Sequence, residues 1–400
     1  MNLLETYPAD FLSSIAIDDS KSATRQSIFR KKRAGVEVLP TISLFSGGGG
    51  LDLGLESAGF DVRFSTDIDP YSMATLQWGK EEAHKLGKSI LRNTVVHRES
   101  VNDLDPSFIL EAARLKKGDV AVLAGGPPCQ AFSIFGKRKG LADKRGQLVF
   151  EYLRVLSKIE PETFVFENVY GLLTVEGGCI FQQICQHLQE PKKGLKYTIS
   201  AFRLNAAAYG VPQFRDRIFI VGSRTGKKIE GIPAITGPSL LPYRTVGDAF
   251  RGLPKIGASF PANHTGRNHS SGIIDRYSLM SAGERDSLTR INKLDLTRPS
   301  YTIIVGSDVG GGKGHIHPTE AREVTPRESA RIQTFPDWWG FAGKVRHPIR
   351  QVGNAVPPIL GSAVANAIRE NILGISAIPF RDVLRTLSQE HLFQNELDKI

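Results

Sequence analysis

The sequence predicts an α/β fold in which a parallel sheet carries helices on both faces, together with a second, smaller domain. Two observations support the sheet: short apolar runs alternate with helix-like segments between Thr41 and Gly222, and several of these runs end in glycine. Such alternation is typical of a parallel sheet that is buried on both faces. A length of 400 residues also favours two domains over one.

The elements of the predicted sheet follow one another along the chain. "TISLFSGGGG" predicts a buried strand that enters a tight turn, and "LDLGLESAGF" predicts a short helix. "DVRFSTDID" and "DVAVLAGG" predict two further strands. "QLVFEYLRVLSKIEP" has the spacing of a helix with one apolar face, which Pro161 ends. "TFVFENV" and "DRIFIVGS" complete the predicted sheet.

The predicted second domain covers residues 223–345. Between residues 223 and 300 the chain is rich in Gly, Pro, Ser and Asn and has 12 Lys and Arg against 6 Asp and Glu. Residues 346–400 contain "QVGNAVPPILGSAVANAIREN", which predicts a turn and an apolar helix that return to the first domain, residues 37–222. Residues 1–36 are a basic extension, either a solvated arm or a segment that contacts phosphate.

The composition indicates which partners and compartments to expect. A net charge of +10 favours an acidic partner such as nucleic acid. Three cysteines, an odd number, argue against a disulfide framework and favour a reducing compartment. "MNLLETYPADFL" lacks the features of a secretory signal, and no run of 18 uncharged apolar residues is present. We therefore expect a cytoplasmic protein with no membrane segment.

A glycine turn follows the first strand of the predicted sheet. Without Cβ atoms, the backbone of Phe45–Gly50 could approach a ligand closely at the carboxyl end of the sheet. Asp67 ends the next strand about 20 residues later, where a carboxylate can accept hydrogen bonds from a ribose diol. The GxGxxG pattern of nicotinamide enzymes is not cleanly present. The turn alone fits either a nucleoside cofactor or a merely structural tight turn.

One cysteine lies in "LAGGPPCQAFSIFG". Pro127 and Pro128 must stop the preceding strand, so Cys129 is expected at the carboxyl edge of the sheet, where open α/β folds bind ligands. A lone cysteine is usually a small buried hydrophobe, but the cationic "GKRKGLADKRG" that follows favours a reactive thiolate. Cys179 and Cys185 lack such surroundings and are predicted to be structural.

Three further charged residues stand next to apolar strands. Glu167 ends "FVFE", and a buried glutamate is costly unless it is paired or functional. Arg215 and Arg217, at positions i and i+2 of an extended segment, are expected on the same side. Structural alternatives remain open, namely a satisfied carboxylate for the glutamate and an ion pair of the arginines with Asp216 or other neighbours.

The chain resembles the C5-cytosine-specific DNA methyltransferases over residues 41 to about 222 and 320–372. Six motifs occur in the order of the family: "LFSGGGGLDLGLESAGF", "GGPPCQAFS", "ENV", "QFRDR", "RESARIQTFP" and "QVGNAVPP". The resemblance implies a Rossmann-like S-adenosylmethionine-dependent methyltransferase sheet with a small mixed domain that recognises DNA. It also implies a monomeric bacterial modification enzyme that acts on double-stranded DNA at the nucleoid, without a metal, in some cases with a cognate restriction endonuclease encoded nearby.

The resemblance also implies roles for individual residues. Cys129 matches the nucleophile, Glu167 the residue that holds cytosine N3 and its amino group, and Arg217 the residue near cytosine O2. Arg215 belongs to the same "QFRDR" motif and joins the catalytic group. The implied cofactor contacts are Phe45, Ser46, Gly47, Gly49, Gly50, Leu51, Asp67, Ile68, Pro127 and Asn354. The implied DNA contacts are Ser133, Lys137, Arg138, Arg145 and Gln147.

One position departs from the family pattern. Where the family often has an aspartate near the adenine amino group, "HRESVNDL" aligns Ser100. That contact is therefore not predicted.

Two alternative functions have to be weighed. A tRNA cytosine-5 methyltransferase would have a similar motif set, but the basic segment 223–320 favours duplex DNA. A non-catalytic DNA-binding module is disfavoured because Cys129, Glu167 and Arg217 occur together. The target sequence must be recognised by residues 223–320, where arginines could contact guanine edges. The candidates are Arg251, Arg267, Arg276 and Arg298.

Overall fold

A computed structural model of the chain describes residues 32–33, 36–128, 147–303, 314–344 and 346–399. Within these ranges no helix has the length and apolar character needed to cross a membrane. A short antiparallel pair, β1 (Lys32–Arg33) and β2 (Val36–Glu37), precedes the main sheet.

The described part of the chain forms one seven-stranded sheet. Its strands are β3 (Pro40–Leu44), β4 (Asp61–Asp67), β5 (Val95–Arg98), β6 (Val122–Gly125), β7 (Thr163–Val169), β8 (Thr198–Asn205) and β9 (Asp216–Ser223). They lie in the order β5-β4-β3-β6-β7-β9-β8. The first five strands in this order are parallel, as predicted, whereas β9 runs antiparallel to both β7 and β8. The sheet is therefore mixed rather than wholly parallel.

Helices cover both faces of this sheet, which confirms the predicted architecture. The α-helices are α1 (Gly50–Ser57), α2 (Pro70–Lys85), α3 (Pro106–Ala112), α4 (Gln147–Ile159), α5 (Cys179–Gln189), α6 (Val246–Phe250), α7 (Ser271–Leu279), α8 (Pro326–Ile332), α9 (Arg346–Asn354), α10 (Pro358–Ala367) and α11 (Phe380–Thr386). Successive residues of a strand point to opposite faces. Val165 thus packs in the core that contains α1, α2 and α10, whereas Phe164 and Phe166 pack in the core with α3, α4 and α5.

The predicted turn before the apolar helix lies at residues 355–357, between α9 and α10, because Gln351–Asn354 form the last part of α9. The final carbonyls of a helix have no partner within the helix and need other donors. Here Gln333 Nε2 donates to the Val352 carbonyl at 3.0 Å, and the Arg215 guanidinium donates to the Gly353 carbonyl. The helix can therefore continue through these residues before α10 begins.

Residues 223–303 and 314–344 contain α6, α7, α8 and isolated β-bridges. Tyr277, Ile291 and Ile316 form a small apolar cluster of their own there. In contrast, Phe335 and Trp339 pack in the same core as α1. The predicted domain boundaries at residues 37, 223 and 346 stay predictions.

Candidate active site

The carboxyl ends of four parallel strands meet at one edge of the sheet. Leu44 of β3 is paired with Thr66 of β4 and with Gly125 of β6, and Gly125 is paired with Phe166 of β7. The glycine turn, Asp67, Gly126 and Glu167 follow or lie next to these paired residues. Ligands of open α/β sheets bind at this edge.

The glycine turn has one open side. Phe45, Gly47 and Gly49 have φ values of 55°, 52° and 83°, the left-handed region that favours glycine. A Cβ atom at Gly47 would meet nothing nearer than the Phe45 carbonyl oxygen at 4.0 Å, whereas one at Gly49 would collide with Trp339. Gly47 therefore faces the space in which a cofactor can lie close to the backbone.

Asp67 and Ile68 border the turn. The Asp67 carboxylate accepts hydrogen bonds from the backbone N–H of Gly47 at 3.0 Å and of Asp69 at 2.9 Å, one on each oxygen. Burial raises its pKa, and these backbone bonds oppose the rise. Each oxygen still has acceptor capacity for a ribose hydroxyl. Ile68 is 65% exposed, so an apolar surface on which a nucleobase could pack lies beside Asp67. These residues fit an adenosine-containing cofactor.

The other predicted cofactor residues have different surroundings. The Ser46 hydroxyl points inward and donates to Ser43 Oγ at 2.9 Å. Gly50 packs against the Val356 carbonyl, and Leu51 is buried in the core. Pro127 is buried, and its carbonyl accepts a hydrogen bond from Asn168 Nδ2 at 2.9 Å. The cofactor contacts proposed for these residues stay predictions.

Glu167 and Arg217 form a buried ion pair at the same edge. Arg217 Nε lies 3.0 Å from Glu167 Oε1, and both residues are 8% exposed. The N–H direction does not give a hydrogen bond, so the contact is electrostatic. Burial raises the pKa of Glu167 despite the opposing charges of Arg217 and Arg215, and it lowers the pKa of Arg217. The ion pair with Asp216 considered from sequence is not formed, because that carboxylate pairs with Arg203.

Gly126 brings the Pro-Pro segment against Glu167. A Cβ atom at Gly126 would lie 2.6 Å from Glu167 Oε2, so only glycine fits there without displacing the carboxylate. Asn168, which the sequence analysis did not single out, bonds the carbonyl of Pro127. Its presence in the "ENV" motif was the available signal.

Several predicted residues lie outside the described part of the chain. These are Cys129, Ser133, Lys137, Arg138 and Arg145, and the side chain of Gln147 is also not described. Of the other two cysteines, Cys185 is buried and burial raises its thiol pKa to about 12, which fits the predicted structural role. Cys179 is exposed at the start of α5.

Arg215 is fully buried and holds the backbone around Asn354. Its Nη2 donates to two carbonyls, that of Gly353 at 2.6 Å and that of Ala355 at 3.0 Å. These two carbonyls flank Asn354, whose exposed amide makes no hydrogen bond to any residue within the described ranges. Arg215 therefore contacts the motif that carries Asn354 rather than open space.

The C-terminal segment closes on the glycine turn through contacts that local sequence does not reveal. Trp339 Nε1 donates to the Gly48 carbonyl at 3.0 Å. The Thr75 hydroxyl donates to Gln351 Oε1 at 2.6 Å, and Arg350 forms an ion pair with Asp69 at 2.5 Å. These contacts join Trp339, which precedes α9, and α9 itself to residues that follow β3 and β4.

The four arginines considered for guanine recognition differ in availability. Arg251 pairs with Asp248, Arg267 with Glu323 and Arg276 with Asp286. Arg298 is exposed, and its guanidinium has no ion-pair partner among the residues that the structure describes.

The comparisons with known proteins agree with this fold. The family profile of C-5 cytosine-specific DNA methylases matches residues 39–370. The Type II methyltransferase M.XorII of Xanthomonas oryzae is 32% identical, covering 82% of this chain and 84% of that protein. M1.HphI of Haemophilus parahaemolyticus is 34% identical, covering 82% and 86%.

Solved structures give the same result for the fold. A prophage-encoded DNA modification methyltransferase of E. coli superposes with a TM-score of 0.66 at 27% identity, covering 83% of this chain and 99% of that one. The Dnmt2 methyltransferase of S. pombe has a TM-score of 0.57 at 14% identity, covering 84% and 99%, which is a likeness of fold alone.

The fold is that of a Rossmann-like methyltransferase. The match over residues 39–370 shows that the chain belongs to the C-5 cytosine-specific DNA methylase family. Its activity is that of a DNA (cytosine-5)-methyltransferase.

Substitution Gly126→Ala tests the fit between Gly126 and Glu167. The added methyl group would displace the Glu167 carboxylate, so we expect methyl transfer to fall by about 10²-fold, the lower end of general acid assistance. The matched control is Gly171→Ala, because a Cβ atom there would meet nothing within 4 Å. The rate at which tritium-labelled methyl groups are transferred to DNA measures the effect. Equal activity of the two variants would show that this contact is irrelevant to catalysis.

Proposed function

We propose that the chain methylates C5 of a cytosine extruded from duplex DNA, with Cys129 as nucleophile, Glu167 as acid and Arg217 as charge partner. The observation that supports this most directly is the buried Glu167–Arg217 pair at the sheet edge that also holds the open glycine turn. A nucleoside cofactor and a base could both reach this edge.

The chemistry assigns a task to each side chain. Addition of the Cys129 thiolate to C6 of cytosine makes C5 carbanion-like, since the aromatic ring is otherwise a poor nucleophile. Glu167, whose pKa is raised by burial, is placed to give a proton to N3, and Arg217 offsets charge at O2. S-adenosylmethionine, when bound, supplies the methyl group as an electrophile. Loss of the C5 proton to a base through water, return of the N3 proton to Glu167 and breakage of the Cys129–C6 bond restore the aromatic ring.

The fit of the cofactor rests on three described residues. Gly47 leaves the turn open, the Asp67 carboxylate has acceptor capacity for ribose hydroxyls, and exposed Ile68 offers a surface for adenine. Asn354 would complete the pocket with its free amide. Membership of the methylase family supports S-adenosylmethionine as the cofactor.

The target base must leave the DNA helix before this chemistry can take place. Neighbouring bases block both faces of the ring near C5 and C6, and extrusion costs a few kcal/mol. The cationic segment that contains Lys137, Arg138 and Arg145 is suited to close over DNA and contact phosphates. Ser133 and Gln147 flank that segment and would contribute DNA contacts.

Arg215 is better assigned as a positioning residue than as a catalytic one. Its side chain is fully buried and bonds the two carbonyls on either side of Asn354. It also lies close enough to Glu167 to oppose the rise of that pKa. Arg215 would therefore act through the position of Asn354 and through the field at Glu167.

The substrate and the setting are inferred from charge and from the relatives. Residues 223–300 carry a twofold excess of cations, which suits a nucleic acid, and the match to the DNA methylase family favours duplex DNA over tRNA. Arg298 is the available candidate for a guanine contact. The relatives are named Type II methyltransferases, so a restriction endonuclease encoded nearby is expected. Because one chain carries all six motifs, a monomer would suffice, working on nucleoid DNA in the cytoplasm of a bacterium.

Bisulfite sequencing of plasmid DNA from cells that express the chain tests substrate, product and site together. We expect full protection of cytosine at one recurring sequence and none with Cys129→Ser, which lacks the thiolate. Purified protein should methylate duplex DNA and not tRNA in parallel assays. A preference for tRNA, or activity that survives in Cys129→Ser, would contradict the proposal.

The dependence of the rate on pH tests the role of Glu167. Because burial raises its pKa, the protonated form should persist to higher pH than for an ordinary carboxyl group, and the rate should fall as pH rises through that pKa. Glu167→Gln should remove this alkaline limb and lower kcat by about 10²–10⁴-fold. Glu56→Gln, at another buried carboxyl group, is the control. An unchanged alkaline limb in Glu167→Gln would exclude proton donation by this residue.

Arg215→Lys separates positioning from direct catalysis. Lysine keeps the charge but cannot reproduce the planar guanidinium that bonds both carbonyls. We expect the KM for S-adenosylmethionine to rise by about tenfold, as for a lost charged hydrogen bond, with a much smaller change in kcat. Arg203→Lys, at an exposed ion pair, should leave both constants unchanged. A fall in kcat alone would instead support contact with the base.

A further inference from the structure

A buried carboxylate lies directly beneath the glycine turn. Asp52, in the first turn of α1, is fully buried. It accepts hydrogen bonds from the hydroxyl groups of Ser43, at 2.5 Å, and Ser65, at 2.7 Å. Ser43 belongs to β3 and Ser65 to β4, so one side chain links α1 to both strands whose ends carry the proposed cofactor site.

The network continues from the carboxylate into the turn itself. The Ser46 hydroxyl donates to Ser43 Oγ at 2.9 Å, and its backbone N–H donates to the Thr66 carbonyl at 3.0 Å. The Ser46 carbonyl accepts from the N–H of Gly49 at 2.9 Å. Gly47, the open position of the turn, follows Ser46 directly. The orientation of that backbone therefore depends on a chain of bonds that ends at Asp52.

The proposed chemistry does not use Asp52, yet its burial is costly. Removing a carboxylate from water is unfavourable, and two neutral hydroxyl donors compensate only in part. A neutral side chain of the same shape would avoid that cost. A requirement imposed by cofactor binding would explain why an acid occupies this place.

We propose that Asp52 is a positioning residue for the cofactor, whose ionised carboxylate orients the glycine turn through Ser43 and Ser46. This inference rests on the proposed use of S-adenosylmethionine at Gly47. With an ionised carboxylate, all three hydroxyl groups donate toward Asp52, so the direction of every bond is determined. A protonated carboxyl group donates one bond. If that bond runs to Ser43 Oγ, the Ser43 hydroxyl turns toward Ser46, whose own hydroxyl keeps only the longer bond to the Ser43 carbonyl at 3.3 Å.

The titration of Asp52 supports this geometry. Burial raises its pKa to about 6, against the lowering effect of the Ser43, Ser65 and Ser46 hydroxyl groups. The charged groups that act on it are Asp67 at the end of β4, which raises the pKa, and Glu56 on α1, which interacts with it electrostatically. The carboxylate is thus ionised at neutral pH and protonated as pH falls below about 6.

Binding of S-adenosylhomocysteine, measured by calorimetry without DNA, tests the proposal. Asp52→Asn should bind about tenfold more weakly than the wild type at pH 7.5, as for a lost charged hydrogen bond. Wild-type affinity should fall as pH drops through about 6, and the Asp52→Asn variant should lack that step. A step that remains in Asp52→Asn, as titration of Asp67 would produce, contradicts the assignment.

A second variant guards against misfolding of the first. Ser43→Ala removes the hydroxyl that joins Asp52 to Ser46 and leaves the carboxylate bonded to Ser65, so it should weaken binding in the same direction. The matched controls are Thr41→Val, which removes a buried hydroxyl two residues earlier on β3, and Glu56→Gln. Both controls should bind like the wild type.

The outcomes separate this inference from the proposed function. If the wild type does not bind S-adenosylhomocysteine, the proposed cofactor is wrong. If the wild type binds S-adenosylhomocysteine, and both Ser43→Ala and folded Asp52→Asn bind it with wild-type affinity, only the role of Asp52 is overturned. Thermal melting shows whether Asp52→Asn is folded. Because burial raises the pKa of Asp52 from 3.8 to about 6, ionisation of this group lowers stability as pH rises between those two values and by a constant amount at higher pH. We therefore expect no loss of melting temperature at pH 7.5 when Asp52→Asn removes the charge.

Discussion

The buried pair of Glu167 and Arg217 is the interaction on which the candidate site depends. Two charges that leave water lose several kcal/mol of hydration each, and removal of one partner leaves the other uncompensated. The pair is nevertheless 3.0 Å apart and largely shielded from solvent. Burial raises the pKa of the carboxyl group and lowers the pKa of the guanidinium. The two groups are therefore closer to sharing a proton, or to changing partners, than the groups of an exposed ion pair. A polar base that enters could replace part of this contact.

The direction of β9 is what brings the pair together. Because β9 runs antiparallel to β7, its first residues lie beside the last residues of β7, and Arg217 is paired with Val169. A parallel strand would carry the same arginine to the opposite edge of the sheet, away from the glycine turn. Within the described sheet, β9 is the only strand that runs antiparallel to its neighbours on both sides, and this direction creates the site. The sequence analysis did not predict it. An apolar run in the sequence predicts that a strand is buried, but it does not indicate whether the strand runs parallel or antiparallel to its neighbours.

Local patterns predicted much of the seven-stranded sheet. The strand "DRIFIVGS" corresponds to β9 residue for residue, and "TFVFENV" corresponds to β7. The long helix α2 was not predicted, because its charged and polar composition gives little apolar periodicity. The role of Gly126 was equally hidden, since the requirement for glycine comes from Glu167, 41 positions later in the chain. Sequence spacing predicts which side chains share a strand edge but not which atoms meet across it.

The contacts missed from sequence have one effect in common, which is to bind residues 339–356 either to the glycine turn or to Arg215 next to β9. The Gly48 carbonyl is bonded by Trp339, Gly50 packs on the Val356 carbonyl, and Arg215 bonds the backbone on both sides of Asn354. Arg215 lies two residues from Arg217, which contacts Glu167. A displacement of α9 would therefore move the turn and disturb the ion pair together, because close-packed interiors transmit strain. Binding at the turn and binding of a base at Glu167 are expected to be thermodynamically coupled through this shared backbone.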